Sequence, residues 1–101
     1  MLALLMTIVL FDFDNGRSVR VMPEEQMVVK LITPAGESRW QIVLSSGLEK
    51  LSEYREPCRS GFEYQVFVFR AMGPGQLGVE YRGLTRYVPP SRSFWVRVNS
   101  I

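Results

Sequence analysis

Histidine is absent from this 101-residue chain, and cysteine occurs once. Without histidine the usual Ser-His-Asp and Cys-His nucleophilic arrangements are excluded, as are the commonest metal ligand and the proton shuttle that works near neutral pH. Cys58 alone forms no intrachain disulfide and cannot furnish a closed zinc site. Stability must therefore come from packing. An unpaired cysteine suits a reducing compartment, so a cytoplasmic location is the expectation, with export left open. No apolar run is long enough to cross a bilayer as a helix. The most apolar stretch, Met1 to Phe11, contains no lysine or arginine and is followed by no small-residue cleavage pattern, so it reads as a retained first strand.

Other chemistries lack their residues. Asp12 with Asp14, and Glu24 with Glu25, are paired carboxylates, but no pattern sets one in an apolar pocket facing the other, and solvated strand ends account for them. The run Asp12 to Gly16 does not complete a calcium loop. Gly73-Pro74-Gly75 is not followed by the lysine and hydroxyl residue of a phosphate loop. Neither an enzyme, a metal nor a cofactor is expected.

Apolar residues make up 47% of the chain and charged residues 22%, a globular composition suited to one domain over residues 1–101. The charge is uneven: five basic residues stand against seven acidic ones in residues 1–53, and seven against three in residues 54–101. From Gly61 to Ile101 the apolar residues repeat with period two, with glycine and proline between the runs, which predicts a sheet meander. Thr7 to Phe13, Ser18 to Val21, Met27 to Ile32 and Trp40 to Leu44 read as further strands. Asp14-Asn15-Gly16 reads as a tight hairpin turn. Leu48 to Arg59 has no clean period and suits a short strand or a helical turn, limited by Pro57. Seven or eight strands with little room for helix predict an all-β sandwich, its core built on Trp40, Phe67, Phe69, Leu77, Val79, Phe94 and Val96.

Three loops differ from simple hairpin links: Thr33 to Ser38, Cys58 to Phe62 and Arg82 to Pro90. A sandwich brings such loops side by side at one end of its scaffold. Tyr64, Phe67, Phe69, Tyr81 and Tyr87, with Arg70, Arg82 and Arg86, are the residues that a nucleic-acid stacking surface would use, but no RNP-like motif or concentrated basic stripe accompanies them.

Several segments together resemble the chagasin-like inhibitors of papain-type cysteine peptidases. These are Asp14-Asn15-Gly16 with Val19-Arg20-Val21, Met27 to Leu31 leading into a loop and Trp40, Phe67 to Ala71 with Pro74-Gly75, Val79 to Arg82, and Phe94 to Val98. The resemblance implies an immunoglobulin-like β-sandwich. Where the family carries Asn-Pro-Thr-Thr-Gly, this chain has Thr33-Pro34-Ala35-Gly36; Arg59 to Phe62 stands for its glycine-rich second loop, and Arg82-Gly83-Leu84 for its Arg-Pro-aromatic third. The partner-binding residues expected are Thr33, Pro34, Ala35, Gly36, Gly61, Phe62, Arg82, Leu84, Arg86 and Tyr87. The first functional expectation is a loop-mediated protein-binding module. Its alternatives are reversible inhibition of papain-like peptidases by cleft occlusion, as the resemblance implies, and weak nucleic-acid binding.

Overall fold

β-Branched and aromatic residues at alternate positions drive this chain into extended segments, each of which must bury one face. A computed structural model describes residues 7–82 and 92–100, Ser100 by its backbone alone. The strands are β1 (Thr7–Phe11), β2 (Ser18–Val21), β3 (Gln26–Pro34), β4 (Trp40–Ser45), β5 (Leu48–Arg59), β6 (Phe62–Ala71), β7 (Gly75–Tyr81) and β8 (Arg92–Ser100). They form two four-stranded sheets, in the orders β1-β3-β6-β5 and β2-β8-β7-β4. The β1–β3 and β2–β8 pairs are parallel and the others antiparallel. The result is an immunoglobulin-like β-sandwich.

The core lies between the sheets. Leu10, Met27, Val29, Leu31, Phe67 and Phe69 project from one, and Val19, Val21, Trp40, Leu77, Val79, Phe94, Val96 and Val98 from the other. All seven core residues expected from the sequence are buried. The central strand β6 is covered on both faces: Val66 and Val68 form a smaller cluster with Val28 and Tyr64 on the outer side.

Three departures from the sequence expectations shape the sandwich. β6, β7 and β8 do not form one meander, because Gly73-Pro74-Gly75 carries the chain from the first sheet to the second. Gly75 lets the two turns at that pole interlock, since an added Cβ would collide with the Ser46 carbonyl. Met72 N–H donates to Gly47 O at 2.9 Å, and Ser46 N–H to Gln76 O at 3.0 Å, fastening the same pole. Asn15-Gly16 likewise makes no hairpin, for β1 and β2 lie in different sheets. Its backbone (Asn15 φ −54°, ψ 132°; Gly16 φ +85°) suits a type II turn, which the same dipeptide satisfies equally well.

The third departure is Leu48 to Arg59, a continuous twelve-residue edge strand. Register shifts around Leu51 and Cys58 break its period, and exposure on both faces removes the need for alternating apolar residues. Pro57 is tolerated because an edge strand leaves one side of its backbone unpaired. Its charged side chains blunt that edge. Met1 to Met6 lie outside the described residues.

Candidate functional site

The site is built where β3 meets β4, because the hydrogen bonds there fix three chain segments at one pole. After Pro34, Gly36 takes φ +80°, a conformation open to glycine, and Glu37 N–H closes the turn on Pro34 O at 3.0 Å. Thr33 is fully buried, and its hydroxyl donates to Glu37 O at 3.1 Å. This expected contact residue therefore shapes the turn from beneath. The hairpin between β5 and β6 is only Ser60-Gly61, so the predicted Cys58 to Phe62 loop is mostly strand. Ala35 N–H donates to Gly61 O at 3.0 Å and Gly36 N–H to Glu63 Oε1 at 2.7 Å, joining the turn to the hairpin. Phe62, opposite Pro34 in the sheet, stays 40% exposed with the Arg59 guanidinium 5.3 Å from its ring centre.

The link between β7 and β8 leaves from the same pole. Arg82 N–H donates to Arg39 O at 2.7 Å, and the Arg39 side chain donates back to Arg82 O at 3.2 Å. Tyr81 pairs with Trp40 on one side and Arg92 on the other, so the two described ends of this link lie at the same pole as the start of β4. Leu84, Arg86 and Tyr87, expected contacts on this link, lie outside the described residues. The anchored segments thus form one surface made of Pro34 to Gly36, Gly61, Phe62 and Arg82.

The fold has solved counterparts. The crystal structure of the cysteine protease inhibitor EhICP2 from Entamoeba histolytica superposes with a TM-score of 0.77 over 94% of this chain and 95% of that one, at 12% identity. The solution structure of amebosin superposes with a TM-score of 0.62 over 95% of this chain and 99% of that one, at 21% identity. Neither a protein-family model nor a curated protein matches the sequence. The shared property is the sandwich itself.

Beneath the loops, Trp40 and Gln65 lock the two sheets together. The Trp40 indole N–H donates to Ile32 O at 2.8 Å, crossing from β4 to β3. The buried Gln65 amide takes Trp40 N–H at 3.0 Å and returns a bond to Trp40 O at 2.8 Å, acting as a short stand-in for a neighbouring strand. Arg55, not singled out in the sequence because β5 was not legible there, donates to Glu37 O and Ser38 Oγ and lies 3.6 Å from Glu63. It braces the β3–β4 turn from the side.

The two aspartates after β1 are structural as well, and they are not solvated strand ends. Burial raises the Asp12 pKa, although the Ile32 N–H, Asp12's own N–H and Arg92 oppose it; the Ile32 N–H lies 3.1 Å from Oδ1. Burial also pushes Asp14 upward, but the Phe11 N–H at 2.8 Å and Arg17 at 2.7 Å outweigh it and hold the carboxyl below its ordinary range. Cys58 is a free, half-buried thiol on the second bulge of β5. The neighbouring Cys58 thiol raises the pKa of the Tyr64 phenol, with burial adding to the effect. Among the described residues, no group of three Cys, Asp or Glu side chains gathers into a metal site. Phe67 and Phe69 face the core at 1% and 0% exposure, which removes them from the stacking surface that nucleic-acid binding would use.

Proposed function

We propose that this protein is a reversible, non-enzymatic inhibitor of papain-type cysteine peptidases, acting by occlusion of the catalytic cleft. The observation that carries the reading is the Ala35 N–H to Gly61 O bond, which together with the Arg39–Arg82 pair holds three loop bases at one pole of a sandwich shared with a cysteine protease inhibitor. Such a surface needs no nucleophile. Pro34, Ala35 and Gly36 enter the cleft through a narrow turn whose small side chains leave the backbone accessible. Phe62 borders it, and Arg82, Leu84, Arg86 and Tyr87 supply contacts from the third segment.

Preordering is what makes short loops effective, because a turn already fixed by hydrogen bonds loses little entropy on docking. The hydrogen bonds from Ala35, Gly36, Thr33 and Arg55 provide that order. The test is a titration of a papain-type peptidase with the purified chain, following hydrolysis of a small fluorogenic substrate. Stoichiometric, reversible loss of activity is expected, and a two-residue insertion between Ala35 and Gly36 abolishes it. A chain that inhibits no papain-type peptidase refutes the reading and leaves a protein-binding module with a different partner.

A further inference from the structure

Phe13 is the most exposed large hydrophobic residue among those described, at 82%, and it belongs to none of the three loops. Nothing in its surroundings leaves it loose. It sits on a 3-10 turn, Asp12–Asp14, fastened at both ends: the Asp12 carboxylate accepts from Ile32 N–H, and Asp14 accepts from Phe11 N–H and Arg17. Its ring stacks on Phe11 with centres 5.6 Å apart and planes 16° from parallel, and Phe11 meets Tyr64 edge-on at 5.7 Å. An aromatic side chain ordered in this way yet bare to water is the kind of residue that dominates protein interfaces.

Its place in the fold ties it to the candidate site. Ile32, which holds the Asp12 end of the turn, lies two residues before Pro34, roughly 7 Å along the strand. Phe62 stands on the neighbouring strand opposite Pro34. Phe13, on the turn tied to Ile32, and Phe62 therefore stand on opposite sides of β3 as it runs toward the tip at Ala35-Gly36, one on the β1 side and one on the β6 side.

We propose that Phe13 is a fourth contact of the docking surface, packing on an apolar shoulder of the peptidase beside the cleft that the loops enter. This inference rests on the inhibitor reading. A tip formed by small residues reaches into a narrow cleft but buries little apolar area, and the flanking ring supplies area without widening the tip. The turn is rigid, so the contact costs little ordering and acts mainly by slowing dissociation.

The experiment compares the full chain with Phe13→Ala, Phe13→Leu and the two-residue insertion between Ala35 and Gly36, each titrated against the same papain-type peptidase. Phe13→Ala is expected to weaken inhibition roughly tenfold to hundredfold, through faster dissociation, with an unchanged urea midpoint. Phe13→Leu keeps most of the affinity. If Phe13→Ala inhibits as tightly as the parent while the insertion abolishes inhibition, this proposal is overturned and the inhibitor reading stands. If the parent chain inhibits no such peptidase, both fall. Phe13→Trp gives an independent readout: its added indole emission shifts to the blue on complex formation, and an unshifted emission in a formed complex overturns the contact.

Discussion

Replacing Gln65 by alanine tests how the binding pole is held. Gln65 is 2% exposed, and its amide satisfies both the N–H and the C=O of Trp40 while donating to Glu53 at 3.1 Å. Alanine removes all three partners and brings in no replacement. Each buried backbone group left without a partner costs about 1–3 kcal/mol, so the two Trp40 groups together set a loss of about 2–5 kcal/mol, allowing for partial rescue by water. Against a domain stability of about 5–15 kcal/mol, that is a large fraction. Urea unfolding followed by tryptophan fluorescence reads it directly: the midpoint falls while the slope stays constant. Gln65→Leu separates volume from bonding, because it restores most of the bulk and none of the bonds, and it should recover less than half of the loss. A Gln65→Ala unfolding free energy within about 0.5 kcal/mol of the parent would refute the reasoning, since it would mean that water replaces the amide at no cost.

Further outcomes follow from the same contacts. Gly75→Ala drives a Cβ into the Ser46 carbonyl and should cost about 1–3 kcal/mol or prevent folding, read as a drop in thermal midpoint. Asp14 has a lowered pKa in the folded chain, so its stabilisation is complete above the ordinary value of 3.8 and disappears as pH falls through the lowered one. Asp14→Asn should therefore be less stable than the parent at neutral pH, with the gap closing in acid. Asp12 runs the opposite way: its raised pKa means that ionisation opposes folding as pH climbs past 3.8, and Asp12→Asn, which can still accept from Ile32 N–H, should flatten that part of the stability curve. Arg55→Ala removes the brace on Glu37 O and Ser38 and should speed amide exchange at Glu37 and in its neighbours while leaving β6 protected.

Period two made β6, β7 and β8 legible, and with them the core from Phe67 to Val96, because half-buried strands write their faces into alternate residues. What periodicity does not encode is which sheet a strand joins. Asn15-Gly16 and Pro74-Gly75 are strong turn signals, yet both serve as crossings between sheets, held there by the Trp95 backbone bonded to Asn15 and Gly16 and by the Ser46 carbonyl set against Gly75, which the dipeptides alone do not encode. β5 was hidden for a different reason: an exposed edge strand with two bulges has no buried face to write. Pro34, Gly36 and Gly61 stood out because turns need them, whereas Arg55 and Gln65 could not be identified, since their roles depend on neighbours 18 and 25 residues away in sequence. Phe13 read as part of the first strand, and only the turn imposed by Asp12 and Asp14 exposes it.

Hydrogen exchange with and without a catalytically inactivated papain-type peptidase tests the central claim most directly. The account predicts slower exchange at Ala35, Gly36, Gly61 and Arg82 on complex formation, beyond the protection that their own hydrogen bonds give Ala35, Gly36 and Arg82 in the free chain, with β2 and the Ser46-Gly47 turn unchanged. Protection confined to the Gly47–Gly75 pole, or none at any ratio of peptidase, would contradict it.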